Sequence, residues 1–180
     1  MRGVLIVAGL VLAACSGPQG KPLGEPVVAS GVHMTLSRLG GGKLAIERYR
    51  GAPVLITMFT TWSLRCQAEA SQFVQIHDRE GGRGLRVVGI ALDDLMRVSL
   101  LKTYVGFVGF RFPVLLAEPN NLELVGGLGP TKQVPRTVLL DREGRIVQDH
   151  GGQTDFGRLE RAIKDLVAPM RAPAATVIGG

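Results

Sequence analysis

The sequence predicts an α/β fold in which helices flank a mixed central β-sheet, with a β-hairpin at its N-terminal end. Two apolar runs, 54–59 and 85–92, are each followed by a helix-like stretch, which favours parallel strands joined through helices. A third apolar run, 137–140, leads through a tight turn into residues 145–147, which indicates an antiparallel hairpin. The 180 residues are enough for one domain with a sizeable core and too few for two ordinary domains.

The first half of the predicted domain begins with the N-terminal hairpin. Two short apolar segments, 34–36 and 44–46, lie on either side of three consecutive glycines, as in a hairpin. Residues 54–59, Val-Leu-Ile-Thr-Met-Phe, form the strongest strand pattern in the chain. The helix after them is predicted from Gln67, because apolar residues then recur at helical spacing until a glycine pair at 81–82.

The second half continues the alternation of strand and helix. Asp93 or Asp94 is predicted to cap a helix that runs to about Tyr104, and residues 112–116 form a short strand. A brief helix is predicted over 122–128, where apolar residues end in glycines. These elements place a second strand and two further helices after the first strand–helix pair.

The last helix is predicted to begin at Thr154 or Asp155, and its apolar stripe consists of Leu159, Ile163 and Leu166. Residues 168–180 are rich in alanine, proline and glycine, so they are predicted to be a disordered tail. The predicted domain therefore extends over residues 32–167.

The N-terminus resembles the export signal of a bacterial lipoprotein. Arg2 precedes an apolar run, 3–12, which has signal-peptide length and is too short to span a membrane. Small residues then precede Cys15, which predicts a signal peptide over 1–14, lipid attachment at Cys15 and a flexible tether over 15–31. The domain would then be anchored in the bacterial cell envelope, facing the periplasm. An ordinary signal peptide with an incidental cysteine and a buried N-terminal helix are the alternatives.

Charge and histidine placement exclude some classes of function. The formal net charge is +6, but the basic residues are scattered and do not interleave with aromatic residues, so no nucleic-acid partner is predicted. The histidines, His33, His77 and His150, lack the mutual spacing of a metal site, and neither a metal nor a cofactor is predicted.

Residues 62–66, Trp-Ser-Leu-Arg-Cys, follow the strongest predicted strand directly and lead into a predicted helix. Glu69 comes three residues after Cys66, and residues 133–141 read Gln-Val-Pro-Arg-Thr-Val-Leu-Leu-Asp. In their order and spacing, these segments resemble the thioredoxin superfamily, specifically its TlpA/ResA-like redoxin branch, over residues 32–167. The resemblance implies a thioredoxin-like fold and the family's thiol-disulfide oxidoreductase chemistry.

Members of that family carry a Cys-x-x-Cys motif where this chain has Ser63 and Cys66. The resemblance assigns catalysis to Cys66 as a single thiol, with Ser63 as a supporting hydrogen-bond donor and Glu69 as a carboxylate for proton transfer. The plainer alternatives are a buried, inert Cys66, a Ser63 that only caps the helix and a solvated Glu69.

The resemblance also implies a substrate groove formed by Trp62, Val134, Pro135 and Arg136. Pro135 matches the family's cis-proline, which lies against the active-site turn, and the alternative is a trans proline that begins an edge strand. Arg136 departs from the usual threonine and would add a positive charge near the site.

Three functions remain open from the sequence. The first is a membrane-anchored oxidoreductase that acts through Cys66 on protein thiols or disulfides and uses an external reductant. The second is a redox-inactive binding module that holds a protein partner in the groove beside Pro135. The third is a peroxidase that acts through one thiol, because Ser-x-x-Cys resembles the Thr-x-x-Cys of peroxiredoxins, although Phe59 stands where those proteins have proline.

Overall fold

The computed structural model describes residues 31–117 and 127–168. The predicted signal peptide, Cys15, nearly all of the tether, most of the predicted helix over 122–128 and nearly all of the predicted tail lie outside these ranges.

Seven strands form one mixed sheet in the described part of the chain, in the order β2-β1-β5-β4-β3-β6-β7. The strands are β1 (Thr35–Arg38), β2 (Lys43–Ala45), β3 (Val54–Phe59), β4 (Arg86–Ala91), β5 (Val114–Leu116), β6 (Arg136–Leu140) and β7 (Ile146–Gly151). Strand β3 runs parallel to β4 and antiparallel to β6, so it is central. The predicted α/β class with a mixed sheet and an N-terminal hairpin is therefore confirmed.

Within the described residues, three α-helices accompany the sheet: α1 (Leu64–Glu80), α2 (Val98–Val108) and α3 (Phe156–Val167). Helix α1 begins three residues before the predicted Gln67, because Ser63 caps it. A single 3₁₀ turn, Leu95–Arg97, precedes α2, and α2 extends four residues beyond the predicted Tyr104 to an αL glycine at 109.

The core follows the alternation of side chains along the strands. Ile56 and Met58 of β3 pack into one cluster with residues of the N-terminal hairpin, whereas Leu55 packs against α1 and α3. Phe73 of α1 and Leu159 of α3 belong to this second cluster together with Leu55. Burial on both faces explains why β3 reads as one continuous apolar run.

The topology brings three connections together at one end of the sheet. Strand β3 lies between β4 and β6, and its C-terminal end leads into residues 60–63. The loop after β4 and the loop before β6 therefore flank these residues from opposite sides, since β4 is parallel to β3 and β6 is antiparallel to it. The motif predicted from sequence lies at this point.

Candidate functional site

Ser63 forms the N-cap of α1, and Cys66 lies in the first turn of that helix. The Ser63 hydroxyl oxygen accepts a hydrogen bond from the Cys66 backbone N–H over 3.4 Å. Serine is favoured at this position because its oxygen satisfies one of the backbone donors left unpaired at a helix start. The hydroxyl thus acts in the described structure as a cap, one of the two roles that the sequence left open.

Cys66 is buried, with 3% of its surface exposed. It packs with Phe59, Ala91, Leu101 and Val114 in a third apolar cluster. The thiol is therefore surrounded by apolar side chains rather than presented to solvent.

A small cavity of about 10 Å³ adjoins Cys66 and is lined by Thr57, Phe59, Cys66, Ala70, Phe73, Tyr104, Phe110 and Pro135. This volume is about that of one water molecule. Cys66 and Pro135 thus share a cavity, as the resemblance implied, but a protein disulfide does not fit into it. The Val134–Pro135 peptide bond is cis, and β6, which follows it, is an interior strand of the sheet.

Tyr104 is a neighbour of Cys66 that the sequence patterns did not indicate. Its hydroxyl is shielded from solvent and has no hydrogen-bond partner among the described residues. Burial, followed by the electrostatic influence of Cys66 and of Asp93, raises the pKa of Tyr104 to about 12. A phenol with this pKa stays protonated at neutral pH and is available as a donor toward the Cys66 cavity.

Asp93 fixes the loop before α1. Both of its carboxylate oxygens accept hydrogen bonds from the Thr61 backbone N–H at 3.0 Å, and Oδ1 also accepts one from the Thr61 hydroxyl. The side chain of Gln67 donates to the Thr61 carbonyl over 2.8 Å. The helix-capping role predicted for this acidic pair belongs to Asp94, which caps the 3₁₀ turn.

Glu69 is buried, so its interpretation as a solvated glutamate is wrong. Its Oε1 accepts a hydrogen bond from the Thr154 backbone N–H and its Oε2 accepts one from the Thr154 hydroxyl, both at 2.8 Å. The hydroxyls of Thr137 and Thr154 lie 2.9 Å apart. Glu69 therefore ties the start of α1 to the segment before α3, and proton transfer by Glu69 stays a prediction.

An open groove of about 480 Å³ lies on the outer side of the motif and is lined by Thr60, Trp62, Leu92, Asp94, Arg97, Thr131, Lys132, Gln133 and Val134. Trp62 is 67% exposed, which is unusual for the side chain of a tryptophan and marks a surface available for contact. Trp62 and Val134 both line this groove, while Pro135 lines the Cys66 cavity, and a substrate role for these residues stays a prediction.

Arg136 does not line the groove. Its guanidinium forms a two-point ion pair with Asp149, at 3.0 and 2.7 Å, and donates to the carbonyls of Leu128 and Gly129 at 2.6 and 3.2 Å. The side chain is largely buried by these contacts. The charge predicted near the site is therefore used to hold the loop that precedes β6.

Two structural features bear on cofactors and membranes. Within residues 31–117 and 127–168, no group of three or more His, Cys, Asp and Glu side chains is arranged to hold a metal ion. The helices in these same ranges are too short or too polar to span a membrane.

Comparison with known proteins decides the family. Residues 29–149 match the model of the AhpC/TSA family. The chain belongs to the AhpC/TSA family. It is also 22% identical over 134 residues to the thiol-disulfide oxidoreductase ResA of Bacillus thuringiensis strain Al Hakam, a match that covers 74% of this chain and 75% of that protein. The predicted membership of the thioredoxin superfamily, in its ResA-like branch, is thereby confirmed.

Solved structures show the same fold. A DsbF homologue from Corynebacterium diphtheriae superimposes with a TM-score of 0.70 at 22% identity, over 83% of this chain and 96% of that one. A secreted disulfide oxidoreductase of Mycobacterium tuberculosis does so with a TM-score of 0.62 at 19% identity, over 74% and 96%. The predicted thioredoxin-like fold is thus confirmed.

Proposed function

We propose that this family member binds an extended segment of a partner protein in the groove between Trp62 and Val134, and that it does not carry out dithiol–disulfide exchange. The observation that carries the proposal is which residues occupy the two cysteine positions of the motif and how exposed they are. Ser63 occupies the nucleophile position and cannot form a mixed disulfide, while Cys66 is 3% exposed beside a cavity of about 10 Å³.

Dithiol exchange needs one accessible thiolate to attack and a second thiol to resolve the mixed disulfide. The serine hydroxyl is not ionised near neutral pH, and it is used as a helix cap here. The sulfur of Cys66 has no open path for a bulky substrate. The first step of the relatives' chemistry is therefore missing from this chain.

The groove, in contrast, is intact. It is open, its walls are held in place by the Asp93–Thr61 and Arg136–Asp149 contacts, and it exposes an indole at its rim. Exposed aromatic side chains on rigid walls are typical of the anchoring points of protein interfaces. These features support a binding role for the groove.

A benzophenone-bearing photo-crosslinking amino acid at position 62, which keeps a large aromatic side chain in place of the indole, tests this function in the cell that produces the protein. We expect a discrete protein adduct that persists when Cys66→Ser is added and disappears when Val134→Arg fills the groove. The matched control places the same amino acid at Phe107, another exposed aromatic residue that does not line the groove. An adduct that requires Cys66, or equal adducts at both positions, would contradict binding without redox exchange.

The proposed location is the bacterial cell envelope, with the domain facing the periplasm and anchored by lipid on Cys15. Support comes from the signal-like sequence before Cys15 and from the secreted relative in Mycobacterium tuberculosis. Membrane fractionation of the wild type beside Cys15→Ser tests the anchor, because loss of the acyl chains would release the domain from the membrane fraction.

A second candidate function is reduction of hydrogen peroxide by Cys66. The cavity beside Cys66 is too small for a protein disulfide, and its volume is nearer to that of a small oxidant such as hydrogen peroxide. The Cys66 sulfur would form a bond to one peroxide oxygen as the O–O bond breaks, and the other oxygen would leave as water after taking up a proton. The resulting sulfenic acid would need a thiol of a partner protein as its reductant. Trapping of a sulfenic acid with a dimedone-type probe after addition of peroxide, absent in Cys66→Ser, would support this candidate.

A further inference from the structure

The groove carries two positively charged side chains on its opposite walls. Arg97 is the last residue of the 3₁₀ turn that follows β4, and Lys132 belongs to the loop before β6. Because β4 and β6 flank β3, these walls face each other across Thr60 and Trp62, which continue from the end of β3.

Neither cation is neutralised within the described ranges of the chain. The ion pairs found there are formed by other basic side chains, among them Arg79, Arg111 and Arg136. One carboxylate, that of Asp94, also lines the groove, and its Oδ1 accepts a hydrogen bond from the Met96 backbone N–H over 2.9 Å, so the lining residues carry two positive charges and one negative charge. The groove therefore has an excess of positive charge and faces solvent.

The floor of the groove holds an unused polar group. Thr60 is 3% exposed, and its hydroxyl has no hydrogen-bond partner among the described residues. An unpaired hydroxyl in a buried position costs free energy, which a ligand atom can recover by accepting or donating a hydrogen bond. Thr60 thus places one unpaired hydroxyl among the residues that line the groove.

Apolar side chains complete the lining. Trp62, Leu92 and Val134 each contribute to the groove, and Trp62 is the only tryptophan of the chain. A ligand that satisfies all of these groups needs an apolar side chain for the indole and an anionic group for the two cations. An extended peptide presents such side chains within a few residues of each other.

We infer that the groove selects acidic segments: a peptide in extended conformation whose Asp or Glu carboxylate lies between Arg97 and Lys132 while an adjacent apolar side chain contacts Trp62. This inference rests on the proposed function and adds the chemical class of the partner. The groove is open to solvent, so dissolved ions screen the attraction between the peptide and the two cations. The electrostatic part of the affinity therefore decreases as the salt concentration rises beyond about 0.1 M, where the screening length is about 10 Å.

The test uses two synthetic eight-residue peptides, acetylated and amidated, that differ only by a central glutamate or glutamine between leucine and valine residues. Binding is followed through the fluorescence of Trp62, which is the single indole reporter. We expect the glutamate peptide to bind at least about fivefold more tightly at low salt, and this preference to shrink at 0.5 M salt.

Two charge-reversed variants separate a local effect from the net charge. In Arg97→Glu combined with Lys132→Glu, we expect the preference for the glutamate peptide to be lost or reversed. The control combines Arg48→Glu with Arg161→Glu, two exposed residues outside the groove, and should keep the preference despite the same change in net charge.

The outcomes separate this inference from the function on which it rests. Equal affinity of the wild type for both peptides would overturn the acidic selectivity and leave the groove as a binding site. Equal loss of preference in both variants would also overturn it, because the effect would then come from overall charge. Absence of binding by either peptide, together with absence of the position-62 adduct, would overturn the inference and the proposed function alike.

Discussion

The Ser63 hydroxyl and the Cys66 backbone N–H are joined by a 3.4 Å hydrogen bond across the first turn of α1. The residue that stands in the nucleophile position is thus a helix cap, and the sulfur that remains is directed into the apolar cluster of Phe59 and Leu101. One substitution has separated the architecture of the family from its dithiol chemistry.

The burial of Cys66 predicts slow reaction with thiol reagents. In full-length Cys15→Ser, where Cys66 is the only thiol, we expect labelling under native conditions to be at least about 100-fold slower than in denaturant, because the sulfur must first be exposed by local opening. The measurement is the labelling rate at fixed pH with and without denaturant.

A pair of cavity variants provides the control for this rate. Leu101→Ala, in the cluster that surrounds Cys66, should accelerate labelling more than Leu159→Ala, which is equally buried in the cluster of α1 and α3. Both changes are expected to lower stability by about 2–5 kcal/mol. Native labelling as fast as that of the unfolded chain would contradict the described burial.

The raised pKa of Tyr104 predicts that the fold loses stability at high pH. Its pKa is raised from 10.0 to about 12 in the fold, so between these values the unfolded chain holds fewer protons than the native one. The free energy of unfolding should therefore keep the contribution of Tyr104 below pH 10 and lose it as the pH rises toward 12. Denaturant titrations at several pH values measure this slope.

The matched variants for this measurement are Tyr104→Phe and Tyr49→Phe, which change the two tyrosines of the chain separately. Because lysine and arginine titration is common to all of the proteins, the difference between variants isolates the phenol. Tyr104→Phe should show a shallower decline above pH 10 than either the wild type or Tyr49→Phe, both of which keep Tyr104. An unchanged slope in Tyr104→Phe would disprove the assignment.

Much of the fold could be predicted because its information is local. The continuous apolar run of β3 and the glycines of the first hairpin specify those elements without reference to the rest of the chain. The start of α1 was missed by three residues because the predicted helix was counted from its apolar periodicity, whereas Ser63 sets the boundary through its side chain.

The contacts that build the site could not be predicted in the same way. Glu69 and Thr154 are 85 residues apart in sequence, and Asp93 and Thr61 are 32 apart. No local pattern specifies such pairs, because they depend on which strands become neighbours in the sheet. The sequence of α2 likewise gives no indication that Tyr104 lines the same cavity as Cys66.

Substitution of Arg136 is expected to lower the free energy of unfolding rather than to weaken binding in the groove. Arg136→Met leaves the half-exposed Asp149 without its cation and frees the carbonyls of Leu128 and Gly129, so we expect a loss of about 2 kcal/mol, mainly from the lost charged hydrogen bonds to these carbonyls. Urea denaturation measures the change.

The partly exposed pair of Arg79 and Glu160 serves as the comparison for this loss. Arg79→Met should cost at most about 1 kcal/mol, because exposed ion pairs contribute little. Similar losses for the two variants would show that Arg136 has no special structural role.

The serine at position 63 removes the attacking thiol on which dithiol exchange depends, and reductase turnover of a disulfide-bonded reporter peptide is the sharpest measure of that loss. Wild type, Ser63→Cys and Cys66→Ser are assayed with the same dithiol reductant. We expect wild type and Cys66→Ser both to remain at the uncatalysed rate, whereas Ser63→Cys should reduce the reporter catalytically. Turnover by the wild type that is lost in Cys66→Ser would contradict this expectation.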